Sequence, residues 1–176
     1  CYETMDKQVV DTIAALLPVQ IAGLYSPVSL CLKTSFALTL AQILAKNRQV
    51  LYLNFEEFSG LELLLDRNFS SDLSDAIFYC VQGQLKSQID SLTENWHNVD
   101  FLPPVRYPED LYDADPRNVS ALVQELARVC RYDVIILDLG GSVRLGPELL
   151  PLCSRIYMPV QNDPVSQGKI EEFETW

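Results

Sequence analysis

Five short apolar runs, centred on Ile21, Leu51, Phe101, Ile135 and Ile156, punctuate this chain, and most segments between them carry apolar residues at helical spacing. Runs that are apolar at successive positions suit strands covered on both faces, the arrangement of parallel sheets; a sheet with one wet face alternates instead. The pattern predicts an α/β fold with a mostly parallel, doubly wound sheet and helices on both faces. Strands are expected at Ile21–Tyr25, Val50–Phe55, Val99–Leu102, Asp133–Leu137 and Ile156–Val160. Helices are expected at Thr34–Lys46, Asp72–Gly83, Ile89–Trp96, Pro116–Arg131 and Gly146–Leu152, with others at Lys7–Leu16 and Val165–Glu174.

The helix beginning at Pro116 is the best defined, because Asp115 can cap free N–H groups and proline suits the first helical position. Its Val119, Leu122, Val123 and Leu126 form one apolar stripe, so it is a packing element. The stretch Leu102–Pro116 is dense in proline and acid and reads as an ordered surface loop, either beside a ligand site or a rigid connector.

With 176 residues at 48% hydrophobic, the chain is expected to form one domain over residues 1–176 with a proper core. It opens on Cys1 and closes on Trp176 inside a helical pattern, so it is expected to be a piece of a longer protein. Thirteen Lys and Arg against 24 Asp and Glu give a formal net charge of −11. That balance disfavours nucleic acid and anionic lipid, whose binding draws on basic residues that release phosphate counterions. Protein partners or a homodimer fit better. No apolar run approaches the roughly 20 residues of a membrane span and no signal-peptide pattern opens the chain, so a cytoplasmic location is expected. The five cysteines lie far apart, with His97 the sole histidine, and read as mostly buried reduced thiols.

Three segments carry candidate chemistry. Between the first strand and the first long helix lies a loop ending in Lys33-Thr34-Ser35, which has the form of a phosphate-binding loop without its glycines. Glycines let backbone N–H groups wrap a phosphate at a helix N-terminus, while the lysine and hydroxyl supply positive charge and a magnesium ligand. Asn54 and Glu56 close the second strand; a carboxamide has no basic form near neutral pH, whereas Glu56 keeps a carboxylate that can take a proton. Glu56 reads equally as a solvated strand-end acid. Asp138 ends the run Val134-Ile135-Ile136-Leu137 and precedes two glycines, the form of an aspartate that holds magnesium through water, or of one that braces a neighbouring loop.

Taken together, SPVSLCLKTS after the first strand, LYLNFEEFSGL at the second and YDVIILDLGGS at a later one resemble the deviant-Walker ATPases, the ParA, MinD and CpaE-like proteins, from Val19 to the end of the chain. The resemblance implies a P-loop NTPase-like fold of the MinD/ParA type, with ATP and magnesium as cofactors. The family loop reads K-G-G-x-G-K-[TS]. Lys33 falls on the phosphate-binding lysine, Thr34 on the magnesium-ligating hydroxyl, Ser35 on the next small polar position and Cys31 on the variable one. Val28 stands for the signature lysine that reaches across a dimer, and Ser29, Leu30 and Leu32 stand for the glycines. Leu32 is the most damaging change, since left-handed backbone angles cost a non-glycine residue about 1–2 kcal/mol. Asn54 and Glu56 fall on the family's D-x-D pair and Asp138 on its Walker-B aspartate. Val160 to Pro164 correspond to the adenine pocket. Two functional expectations follow: a regulatory or scaffolding interaction module with weak or no ATP hydrolysis, or a working ATP-dependent dimerisation switch used in intracellular positioning or assembly.

Overall fold

The computed structural model describes residues 19–29, 31–129 and 131–175. Among them six strands form one sheet: β1 (Gln20–Leu24), β2 (Val50–Asn54), β3 (Glu94–Trp96), β4 (Val99–Leu102), β5 (Val134–Asp138) and β6 (Arg155–Tyr157). Their order is β3-β4-β2-β5-β1-β6. All neighbouring pairs are parallel except β3 with β4. Helix α1 (Lys33–Leu44) joins β1 to β2; α2 (Leu61–Leu65), α3 (Leu73–Val81) and α4 (Leu85–Leu92) lie between β2 and β3. Helices α5 (Pro108–Asp113) and α6 (Pro116–Val129) link β4 to β5, α7 (Gly146–Leu149) precedes β6, and α8 (Pro164–Thr175) follows it.

The continuous apolar runs are explained by two cores, one on each face of the sheet. Leu51, Leu53, Ile135 and Leu137 pack with α3, α4 and α6, while Val50, Tyr52, Val134 and Ile136 pack with α1 and α2. Strands β2 and β5 are buried at every position, so each needs an apolar residue on both sides of the pleat. Val119, Leu122, Val123 and Leu126 of α6 are fully buried as the stripe predicts, and the Asp115 carboxylate accepts the Arg117 amide at 2.9 Å.

Several expectations need correction. The helix predicted over Ile89–Trp96 is α4 ending at Leu92, followed by the edge strand β3. Glu94–Trp96 returns into β4 through His97 and Asn98, with φ of 50° and 65°. Two successive left-handed residues make the tight reversal that matches the strand twist, so the chain leaves the helix to cover the sheet edge. Trp96 there stacks edge-on to Phe101 at 6.1 Å, a packing role. The stretch after Leu102 holds the short helix α5. The last strand is limited to Arg155–Tyr157, and its residues are exposed or half-buried. Cys31, Cys80 and Cys153 are free thiols, half-buried rather than buried. The helix expected at Lys7–Leu16 lies outside the described residues.

Candidate functional site

Three loops leave the sheet side by side, because Leu24, Asp138 and Asn54 are the paired last residues of β1, β5 and β2. Backbone bonds beyond the strands hold these exits together: Leu139 N–H donates to Leu24 O at 2.9 Å, Phe55 N–H to Asp138 O at 2.8 Å and Ser26 N–H to Gly140 O at 3.1 Å. The crevice outside the carboxyl ends of parallel strands is where α/β folds bind ligands.

The first loop delivers Lys33 and Thr34 into that crevice at the start of α1. Leu32 caps the helix with φ 54° and ψ 34°, a left-handed residue, and its side chain makes no cap hydrogen bond to the N–H groups of the first turn. Its carbonyl accepts Phe36 N–H at 2.9 Å. By contrast, α3 is closed by a capping box in which Asp72 and Asp75 satisfy each other's backbone. The first turn of α1 also lacks acidic residues, so its positive dipole end is unopposed on its own helix. The backbone thus keeps at residue 32 the conformation that glycine would give, at the strain cost of a β-carbon, and the leucine side chain stands 75% exposed.

Within the crevice the side chains engage one another. The Lys33 ammonium donates to the Val28 carbonyl at 3.2 Å, and Val28, at the signature-lysine position, is itself buried. The Cys31 thiol donates to the same carbonyl at 3.1 Å. Thr34 Oγ1 donates to Glu56 Oε2 at 3.3 Å. Ser35 is exposed on the helix surface and joins no site contact. Gly140, with φ 58°, lets Glu56 lie against the turn after β5; a β-carbon there would come within 2.9 Å of Glu56 Cγ and Oε1.

A second layer lies beneath. The Tyr52 hydroxyl donates to Asp138 Oδ2 at 2.9 Å, and Asn54 Nδ2 donates to that same oxygen at 3.3 Å and to the Tyr52 hydroxyl oxygen at 3.1 Å. Asn54 Oδ1 accepts the Glu56 amide at 2.9 Å. Asp138 is fully buried, yet its Oδ1 has no hydrogen-bond partner among the described residues. Burial pushes the Asp138 carboxyl above the usual range; the Thr34 and Tyr52 hydroxyls, the Gly140 amide and the Lys33 ammonium oppose the rise. Thr34 and Gly140 act on it without closing a bond to Oδ1. Glu56 is raised by burial and then by the Asp138 charge, with Lys33 and Thr34 opposing. Burial, followed by the Asp138 charge, pushes Tyr52 well up, so it stays a neutral donor.

The sequence-predicted Lys33, Thr34, Asn54, Glu56 and Asp138 therefore converge, whereas Val160 lies exposed in the stretch after β6. Tyr52 is a member of this cluster that sequence reasoning missed. Its signal was a hydroxyl inside a run bound for burial on both faces, where such a group must find a partner.

Oxygen donors of this kind suit magnesium, which takes one or two carboxylates and completes its shell with water and phosphate. Thr34 Oγ1, its proton turned to Glu56, and the unpaired Asp138 Oδ1 fit that ion, and the uncapped turn with Lys33 fits a phosphate. No group of three His, Cys, Asp or Glu side chains set to hold a metal occurs among the described residues.

No protein-family model matches the chain, and no curated protein matches it. Solved structures do. The ParA family ATPase from Chlorobium tepidum TLS superposes with a TM-score of 0.78 at 22% identity, covering 89% of this chain and 66% of that one. The fold is that of the ParA and MinD ATPases. A putative plasmid partition protein from Borrelia burgdorferi B31, bound to AMPPNP, gives 0.70 at 20% identity over 89% of this chain and 67% of its own. MinD from Pyrococcus horikoshii OT3, complexed with Mg-ADP, gives 0.70 at 18% over 89% and 64%. This chain thus spans about two thirds of the length of these ParA and MinD structures. No helix among its described residues is long and apolar enough to cross a membrane.

Proposed function

We propose that this ParA/MinD-type chain is one cytoplasmic domain of a longer protein and acts as a regulatory or scaffolding protein-interaction module with weak or no ATP hydrolysis. The observation that carries this reading is the buried Tyr52–Asn54–Asp138 network. It commits Asp138 Oδ2 to the scaffold and replaces an acid at position 54 with a donor. A carboxylate at residue 54 would lose both donated bonds and face Asp138 as a buried like charge, so the second layer is built around the amide.

The side chains in the crevice divide accordingly. Lys33, Thr34 and the free amides of α1 are the groups that would hold a magnesium-bound phosphate, and the metal would supply charge neutralisation there. Glu56 is a carboxylate placed to take a proton from water, but it is occupied by the Thr34 hydroxyl and backed by no second acid at residue 54. Residue 28 is a buried valine, so this chain offers no lysine there to a partner's phosphate. Lys33 must also release the Val28 carbonyl before it can pair with phosphate. Each N–H bond to a charged oxygen contributes about 1.5–3 kcal/mol, and a loop without glycine surrenders part of that set.

A second reading, an ATP-dependent dimerisation switch, is favoured by the left-handed Leu32 and the unpaired Asp138 Oδ1. Phosphate release under saturating Mg-ATP separates the two. The module reading expects the wild type to match Lys33→Ala at background. Robust turnover that disappears in Lys33→Ala, together with a dimer that forms only with Mg-ATP, would establish the switch.

A further inference from the structure

Beside the crevice, a groove of about 280 Å³ runs between the segment after β2 and the segment after β4, lined by residues that include Phe58, Leu61, Phe69 and Val105. Leu61, Phe69 and Val105 are buried core, but Phe58 stands 82% exposed on the groove wall. Leu63 and Leu64, on the same short helix as Leu61, are exposed as well, and so is Tyr107, next to the lining residues Arg106 and Pro108. Phe58 is the exposed large apolar side chain that lines the concavity, whereas Leu63, Leu64 and Tyr107 flank it without lining it; an exposed aromatic at a concavity rimmed by polar groups marks an interaction surface. The charge of the rim selects the partner. Glu57, Glu62 and Asp72 line the groove against one cation, Arg106. Arg106 donates through Nη2 to the Phe69 carbonyl at 3.1 Å, which leaves three carboxylates against one guanidinium on the rim. Among the described residues Glu57 makes no hydrogen bond or ion pair, and the Glu62 and Asp72 carboxylates accept backbone amides rather than cations.

We infer that this groove docks a basic segment of a partner protein, with an aromatic or leucine anchor against Phe58 and Lys or Arg side chains against Glu57, Glu62 and Asp72. Electrostatic complementarity of this kind steers encounter and sets partner choice, and the formal charge of −11 over the whole chain adds to the same field. The groove borders the crevice: Glu57 and Phe58 line both it and the adjoining cavity with Glu56, Gly140 and Gly141. A docked segment therefore lies against Glu57 and Phe58, the residues that follow Glu56 in the loop after β2. This rests on the interaction-module reading for its purpose, while the docking chemistry stands on the groove alone.

The test is panning a random twelve-residue phage-displayed library against the immobilised protein, followed by backbone amide shift mapping with the winning synthetic peptide. The expected pool is net positive with a Phe, Tyr, Trp or Leu anchor. Its peptide should shift amides at 57–62 and 105–108, weaken at least tenfold in Phe58→Ser and in Glu57→Lys, and weaken with added salt. Both substitutions are at exposed positions, and matching melting curves confirm that the variants are folded. A neutral or acidic pool, shifts mapped elsewhere, unchanged binding in both variants, or no enrichment above background overturns the proposal. So do a dimer of this chain that Phe58→Ser dissolves, which makes a second copy the occupant, and co-sedimentation with phosphatidylglycerol-rich vesicles that Phe58→Ser abolishes. Lys33-dependent phosphate release would sink the proposed function while leaving the groove result untouched.

Discussion

Leucine at residue 32 sits in a conformation that suits glycine, and this makes Leu32→Gly an informative substitution. At φ 54° and ψ 34° the leucine bears a left-handed penalty of about 1–2 kcal/mol. Its side chain is 75% exposed, so truncation forfeits little packing. Glycine adds conformational freedom to the unfolded chain, which takes back about 0.4–1 kcal/mol. The net is a stabilisation of about 0.5–1 kcal/mol. For a chain of this length each kcal/mol moves the midpoint by about 2–4 °C, so Tm should rise by about 1–4 °C. Leu32→Ala is the control: it removes the isobutyl group and keeps the β-carbon, so the strain remains and Tm should not rise. Calorimetric melting of the three proteins decides the matter. A gain in Leu32→Ala equal to that in Leu32→Gly, or a fall in Leu32→Gly, would refute the claim that backbone strain is stored at this residue.

Other expectations follow from the same geometry. Tyr52→Phe removes the hydroxyl that bonds the buried Asp138 carboxylate and should cost about 1.5–3 kcal/mol, read as a lower midpoint in urea; a loss under 0.5 kcal/mol would mean the network contributes little. Gly140→Ala must place a β-carbon within 2.9 Å of Glu56 and accept a left-handed alanine, so it should destabilise by about 2 kcal/mol or more; an unchanged midpoint would contradict the packing of Glu56 on that turn. Burial pushes the Cys153 thiol up to about 11, so at pH 8 about one in a thousand of these groups is thiolate. Its alkylation, followed by mass spectrometry, should be slow and quicken about tenfold per pH unit up to pH 10, and labelling as fast as a free peptide cysteine would refute the assignment. Because the folded value lies above the unfolded one, the protonated thiol's contribution to stability is whole below about pH 8.5 and is lost as pH rises through about 11.

Much of this was legible in the residues. Strands buried on both faces announce themselves by successive apolar residues, so β2 and β5 and the sheet they centre were readable from composition along the run. Lys33, Thr34, Glu56 and Asp138 were readable because they are polar groups placed where strands end and a helix begins. Less legible was the backbone at Leu32, where side-chain identity argues against the left-handed angles that the flanking strand and helix impose. Tyr52 was hidden inside an apolar run, its hydroxyl given meaning only by Asp138, which lies 86 residues away in sequence. The strand Glu94–Trp96 was hidden for a different reason. Its turn is built on His97 and Asn98 instead of the Asn-Gly or Asp-Gly pair that signals a hairpin, and helical spacing ran on into it.

The proposed function holds that the crevice keeps the shape of a nucleotide site while Lys33, Asn54 and Asp138 serve the scaffold instead. Isothermal titration with Mg-ATP measures this most directly. The account predicts no binding tighter than about 1 mM, the affinity equivalent of about 4 kcal/mol, and no difference between wild type and Lys33→Ala. A micromolar dissociation constant that Lys33→Ala abolishes would contradict it.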